Sequence, residues 1–103
     1  MKYKSIKSII INPEDHRCAI CGSSINLEWH HCIHGTANRK WADAYGLTVW
    51  LCHDCHRHIH DDAAWRERDQ QLEATAQRKF EDKYAPDAHR LWMQIFGKNY
   101  LDG

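Results

Sequence analysis

Residues 47–60 read LTVWLCHDCHRHIH and lead from an apolar run into a segment dense in cysteine and histidine. The apolar run, Leu47 to Leu51, is rich in β-branched and aromatic residues, which predicts a strand. From Cys52 to Asp61 the pattern predicts a helix. His56 and His60 lie four residues apart on that helix, so they share one face and can bind one metal ion together.

The two cysteines of this stretch, Cys52 and Cys55, repeat the spacing of an earlier pair, Cys18 and Cys21. Each pair can bind an ion from one tight turn, and two pairs complete a tetrahedron of thiolates. We therefore predict a structural zinc site formed by all four cysteines. Buried free thiols would not explain two such pairs, and thioredoxin-like redox chemistry needs a βαβ context that is absent here. The fifth cysteine, Cys32, is expected to be a small buried hydrophobe.

Between the two cysteine pairs the chain has room for an inserted hairpin. Leu27 to His31 predicts its first strand, and residues 34–46 are interpreted as a loop with one helical turn around Trp41 to Tyr45. Ahead of the first pair, Ile9 to Ile11 predict a short strand. Taken together, residues 16–61 should form a hairpin and a helix that the zinc ion clamps at their base.

Residues 62–103 are charged, helix-forming and free of cysteine. Pro86 divides two apolar stripes, and Gly97 is a plausible helix end. The stripes recur at helical spacing: Leu72, Ala76, Phe80 and Tyr84, then Leu91, Trp92, Ile95 and Phe96. We predict an α+β fold with residues 1–103 in one domain, in which this helical extension packs on the core of residues 16–61.

Composition narrows the possible functions. Hydrophobic residues make up 43% and charged residues 27% of the 103 residues, as in a globular chain. Fourteen basic and fourteen acidic residues balance, which argues against extensive DNA wrapping but permits a grip on a few phosphates through a metal ion. The basic start, Met1 to Lys4, precedes only a three-residue apolar run, too short for a signal peptide, and no run approaches a membrane span. A cytoplasmic protein without membrane contact is expected.

Three segments together resemble the HNH, or ββα-metal, nuclease family in its zinc-stapled form. They are Trp29-His30-His31, the run from Leu47 to Leu51, and Cys52-x-x-Cys55-His56-x-x-x-His60. The tail, with Gln77-x-x-Phe80-Glu81-x-x-Tyr84 and the run from Ile95 to Tyr100, is similar to small phage- and prophage-encoded proteins of that type. The resemblance spans about Cys18 to Tyr100 and implies a phage or prophage protein in the cytoplasm of a bacterial host.

The family pattern assigns roles to four histidines. Carried over, His30 is a ligand of a catalytic metal, His31 is the general base, and His56 and His60 complete the metal site. The chemistry is consistent, because histidine titrates near neutrality and can deprotonate water. Three imidazoles suit Zn, Ni, Co or Mn better than Mg, which prefers oxygen. Of the other histidines, His34 lies in the predicted loop and could reach the site, although a loop histidine is more often solvated.

The family usually carries an asparagine shortly before the second strand, which braces the loop that holds the base. Here residues 44–47 read AYGL and contain none. Asn38 could substitute, or Tyr45 or a backbone carbonyl could orient His31, or the site could be weakened. Arg39 and Lys40 are candidates for phosphate contacts, with a solvated basic pair as the equal alternative.

The expected function is that of a metal-dependent endonuclease that hydrolyses phosphodiester bonds, with DNA as the expected substrate. The alternative is a non-catalytic zinc module that binds nucleic acid or a recombination or packaging partner. The four histidines distinguish the two, because a binding module needs the cysteines but has no use for His30, His31, His56 and His60 together.

Overall fold

A computed structural model describes residues 7–101, and the basic start at Met1 to Lys4 lies outside them. Within residues 7–101 the chain forms two strands and four α-helices, with short 3-10 helices at Pro13–Asp15 and Ala63–Trp65. In chain order the main elements are β1 (Leu27–His31), α1 (Thr36–Tyr45), β2 (Thr48–Cys52), α2 (His53–Asp61), α3 (Arg66–Tyr84) and α4 (Ala88–Phe96). This is the predicted α+β architecture, a two-stranded hairpin followed by helices.

The strands β1 and β2 pair antiparallel, with Leu27 opposite Cys52 and His31 opposite Thr48. β1 has the predicted bounds, whereas β2 begins one residue later than predicted. The shift places Cys52 at the end of β2, where it also caps α2: its Sγ accepts a hydrogen bond from the backbone N–H of Cys55 at 3.5 Å. The second cysteine pair therefore lies at the junction of strand and helix.

The predicted loop between the strands is wrong, because a ten-residue helix, α1, fills most of it. Gly35 and Gly46, which were interpreted as loop residues, are the two ends of that helix. Both have positive φ, 106° and 70°, which a glycine adopts without steric cost. The N–H of Gly46 bonds back to the carbonyls of Ala42 and Asp43, a left-handed helix end.

The predicted strand at residues 9–11 is also wrong. The hydroxyl of Ser8 accepts hydrogen bonds from the backbone N–H groups of Ile10 and Ile11, at 3.0 and 3.1 Å. These local hydrogen bonds turn the chain and satisfy the backbone N–H groups that a strand would donate to a neighbouring strand.

The helical extension packs on the first half of the chain through aromatic side chains. Tyr45 of α1 lies edge-on to Phe80 of α3 with ring centroids 5.2 Å apart, and Phe80 lies at the same distance from Trp92 of α4. Phe80 and Trp92 are fully buried. Both predicted apolar stripes are confirmed as helical, with a break around Pro86 and a left-handed end at Gly97. Among residues 7–101, no helix combines the length and apolarity of a membrane span.

Candidate metal centres

Four sulfur atoms meet where the turn at residues 18–22 approaches the junction of β2 and α2. They belong to Cys18, Cys21, Cys52 and Cys55, and all lie within 4.8 Å of one another. The Sγ atoms of Cys21 and Cys52 are 3.7 Å apart. Thiolates bound tetrahedrally at a Zn–S distance of 2.3 Å are about 3.8 Å apart, whereas a disulfide needs about 2 Å. The four cysteines thus have the spacing of a group that holds one metal ion such as zinc.

Backbone amides favour the thiolate form of Cys18. The N–H groups of Ile20 and Cys21 point at Cys18 Sγ, at 3.4 and 3.5 Å. Burial opposes ionisation of the Cys18 thiol, but these backbone hydrogen bonds outweigh burial and lower its pKa to about 6. A thiolate is the form that binds metal, so the turn favours the required charge state at Cys18, whereas burial raises the pKa of the Cys55 thiol. Cys32 takes no part and is fully buried, as predicted.

A second cluster consists of imidazole rings from β1 and α2. His30 lies on the face of β1 that packs against α2, and His56 and His60 lie one turn apart on that helix. The ring of His30 is 5.1 Å from that of His56 and 5.6 Å from that of His60, and the two α2 rings are 4.8 Å apart. One nitrogen from each of the three comes within 4.8 Å of the others. The three predicted metal ligands therefore converge.

His30 has the environment of a ligand rather than of a core histidine. It is 1% exposed, and its Nε2 is buried without a hydrogen-bond partner. Burial, reinforced by the neighbouring histidines, lowers its pKa to about 3, so the ring is neutral at physiological pH. A buried unpaired nitrogen is costly, and a metal ion would satisfy its lone pair. The donor set present fits a divalent cation.

Glu28 holds His56 in place, and sequence reasoning missed it. Its two carboxylate oxygens accept from Nδ1 of His56 at 2.7 Å and from Nδ1 of His53 at 3.0 Å, and these bonds lower the pKa of Glu28. With Nδ1 of His56 donating, the lone pair is left on Nε2, the arrangement found in carboxylate–histidine–metal triads. A signal existed, because Glu28 lies two residues before His30 and so on the same face of the strand.

His31, the predicted base, contacts a carboxylate that sequence analysis did not consider. Its Nε2 lies 2.7 Å from Oδ1 of Asp43 on α1. A carboxylate only accepts, so the proton sits on Nε2 and the lone pair on Nδ1. Neither Asn38 nor Tyr45 takes this position. Asn38 braces the loop instead, because its side-chain amide donates to the backbone carbonyl of His34 at 2.9 Å.

His34 is not the solvated loop residue that was expected. Its Nε2 lies 2.8 and 2.9 Å from the two carboxylate oxygens of Asp69 on α3, and this hydrogen bond raises the pKa of His34. Its ring also lies 5.5 Å from His30 and 5.4 Å from His60. The extension therefore reaches the histidine cluster through Asp69, a residue to which sequence analysis assigned no role.

The clustered histidines line an open cleft of about 650 Å³. Arg39 lines the same cleft and is exposed, which suits a residue that meets a ligand from solvent. Lys40 is exposed but lies outside the cleft lining, with its Nζ 5.4 Å from the centre of the Trp41 ring. Of the predicted basic pair, only Arg39 faces the histidines.

Comparisons with protein-family models, with curated proteins and with solved structures return no match to this chain.

Proposed function

We propose that the protein is an HNH-type endonuclease that hydrolyses phosphodiester bonds of DNA with the help of a divalent cation. The observation that carries the proposal is the convergence of His30, His56 and His60 beside His31 in one open cleft. Two neighbouring elements carry all four, because His30 and His31 end β1 while His56 and His60 lie on α2, and the four-cysteine group lies at the junction of β2 and α2.

Each residue has a separate task in this mechanism. His30, His56 and His60 would hold the cation, which supplies Lewis-acid stabilisation of the charge that develops on the phosphate and the leaving oxygen. Glu28 keeps the Nε2 lone pair of His56 available by accepting from Nδ1. Arg39 is placed to contact a phosphate of the bound strand.

His31 performs the proton transfer. Its Nδ1 accepts a proton from water as the water oxygen bonds to phosphorus and the bond from phosphorus to the bridging oxygen breaks. The ring becomes an imidazolium, and the carboxylate of Asp43 at 2.7 Å stabilises that charge. Asp43 thus takes the orienting position for which the family pattern supplies an asparagine.

A plasmid-nicking assay with Mg, Mn, Ni, Co and Zn tests the proposal. Wild-type protein should convert supercoiled DNA to nicked or linear forms with at least one metal. His31→Ala should lower the cleavage rate by about 10²–10⁴-fold, the usual worth of a general base, and leave metal content unchanged. His89→Ala is the matched control, because His89 lies on α4 and contacts Glu81 at 2.8 Å instead of the cleft.

Two outcomes would reject the assignment at different levels. If wild-type protein cleaves neither DNA nor RNA with any of the five metals, the assignment as a nuclease is wrong, and a zinc-dependent binding module becomes the proposed function. If His31→Ala cleaves as fast as wild type, the base is wrong and His34, which lines the same cleft, becomes the candidate.

A further inference from the structure

The histidine cluster contains more donor groups than one three-ligand site uses. His30, His34 and Asp69 form a second group whose nitrogen and oxygen atoms also lie within 4.8 Å of one another. This group shares His30 with the set formed by His30, His56 and His60. The two sets differ in chemistry, because one holds only imidazoles and the other includes a carboxylate.

We propose that His30, His34 and Asp69 form an alternative, oxygen-containing binding position that lets the cleft accept a hard divalent cation such as Mn²⁺, with Asp69 of α3 as its carboxylate ligand. The inference rests on the proposed metal centre and deepens it by assigning the cation class that each donor set prefers.

The buried nitrogen of His30 supports this position. Its Nε2 has no protein hydrogen-bond partner, and one nitrogen of its ring lies within 4.8 Å of the other donor atoms in each set. One lone pair serves one ion, so the two sets are alternatives for a single cation and not two simultaneous sites.

Contacts between His34 and Asp69 add a second line of support. The His34 Nε2 is nearly equidistant from the two oxygens of Asp69, at 2.8 and 2.9 Å. Adjacent ligands of an octahedral ion at about 2.1 Å lie about 3 Å apart, so the spacing suits co-ligation once the Nε2 proton that His34 donates to Asp69 has been released or has moved to Nδ1. Both side chains are partly exposed and line the cleft, which leaves open positions for water or phosphate oxygens.

Ligand chemistry then predicts selectivity. A set of neutral imidazoles favours Zn, Co and Ni, whereas a carboxylate adds a hard, negatively charged oxygen that Mn²⁺ and Mg²⁺ prefer. Loss of the carboxylate should therefore weaken Mn²⁺ more than Co²⁺. It follows that the helical extension belongs to the metal centre and decides which metals it accepts.

The test measures metal binding directly, on full-length protein that retains its cysteine-bound zinc. Free Mn²⁺ is quantified by electron paramagnetic resonance, and Co²⁺ binding by visible absorption. Asp69→Asn should weaken Mn²⁺ binding by at least about tenfold, since even outer-sphere partners of metal ligands are worth 10–100-fold. Co²⁺ affinity should fall by less.

Asp61→Asn is the matched control. Asp61 is exposed on α2 and its charge acts on His60, but it belongs to neither donor set. Its removal subtracts the same charge near the cleft, and Mn²⁺ affinity should change by less than about threefold, as for an exposed, screened charge. Equal effects of Asp61→Asn and Asp69→Asn would show that only net charge matters and would overturn the proposal.

A second comparison separates a ligand from a positioning residue. If Asp69 binds the ion itself, Asp69→Asn should weaken Mn²⁺ further in a His34→Ala background. If Asp69 acts only by orienting His34, the double variant will equal His34→Ala, and the proposal is wrong. The all-histidine centre is tested separately by Co²⁺ binding, which wild-type protein should show and His56→Ala should lose. If wild-type protein binds Co²⁺ through the histidines but Asp69→Asn leaves the Mn²⁺ affinity unchanged, only the inference about Asp69 is overturned. If wild-type protein binds neither Co²⁺ nor Mn²⁺ in the cleft, the proposed metal centre is overturned as well.

Discussion

Replacing Asp43 with asparagine should slow DNA cleavage without dismantling the site. The substitution keeps the shape of the side chain and an oxygen that can accept from His31 Nε2, but it removes the negative charge. Asp43 Oδ1 lies 2.7 Å from that nitrogen. The variant therefore loses electrostatic stabilisation of the imidazolium that forms as His31 takes up a proton, whereas the hydrogen bond in the ground state is kept.

The size of the effect follows from the distance and the exposure of the pair. Opposite unit charges about 4 Å apart attract by about 1 kcal/mol in bulk water and by about 4 kcal/mol at an effective dielectric constant of 20. The side chains of His31 and Asp43 are 23% and 30% exposed, so solvent screens the pair in part. We take about 1–3 kcal/mol, which corresponds to a rate lowered by about 5- to 150-fold.

Single-turnover cleavage of a labelled DNA under saturating metal is the appropriate assay, because it reports the chemical step. The double variant of Asp43→Asn with His31→Ala should cleave no more slowly than His31→Ala alone, since a residue that acts through His31 has nothing to act on once the ring is gone. Asp82→Asn, which removes an exposed carboxylate of α3, is the control for net charge. If Asp43→Asn lowers the rate by the same factor with and without His31, the coupling to the base is refuted.

Three further outcomes test the scaffold and the metal centres. Cys55→Ser should release the zinc, about one ion per chain, and unfold the hairpin, as measured by elemental analysis and circular dichroism; a folded, zinc-free wild type would contradict this. Glu28→Gln should weaken Co²⁺ binding at the histidines by about 10–100-fold while the cysteine-bound zinc remains, and an unchanged Co²⁺ affinity would show that His56 needs no carboxylate. Trp92→Ala should cost about 3–5 kcal/mol in urea denaturation, and truncation after Asp62 should give insoluble or unfolded protein; a soluble, active truncation would make the extension dispensable.

Local patterns in the sequence predicted the two strands of the hairpin, helix α2 and the helical extension, but not all of the scaffold. Strand β1 was predicted with its observed bounds because its aromatic and histidine residues form a short strand pattern. Helix α2 was predicted to within one residue at its start. Of helix α1, only one turn around Trp41 to Tyr45 was predicted, because Gly35 and Gly46 were taken as signs of a loop, although glycines also mark helix ends. A loop and a helix between these two glycines differ in the conformation of the intervening residues, and the glycines themselves do not determine that conformation.

The carboxylates of the candidate site could not be predicted in the same way. Asp43 meets His31 across 12 residues of chain, Glu28 meets His56 across 28, and Asp69 meets His34 across 35. Such pairs depend on how α1, α2 and α3 pack against the hairpin. Only Glu28 had a local signal, its place on the same strand face as His30. The candidate cysteine and histidine ligands could be proposed from the sequence because the two Cys-x-x-Cys pairs and the pair His56 and His60 are each close in the chain, whereas the carboxylates that contact the histidines come from elsewhere in the fold.

The three carboxylates also bear on the neutral net charge, which at first argues against a nucleic-acid enzyme. Glu28, Asp43 and Asp69 each hold one histidine of the cluster and put negative charge beside the cleft, where Arg39 is the basic residue of the lining. A phosphate approaching these carboxylates would be repelled unless a divalent cation were bound among the imidazoles. In the proposed nuclease, the cation therefore recruits the phosphate as well as assisting hydrolysis. Phosphate binding through a cation does not need a broad basic surface. The equal numbers of acidic and basic residues are therefore compatible with a nuclease that contacts only a few phosphates.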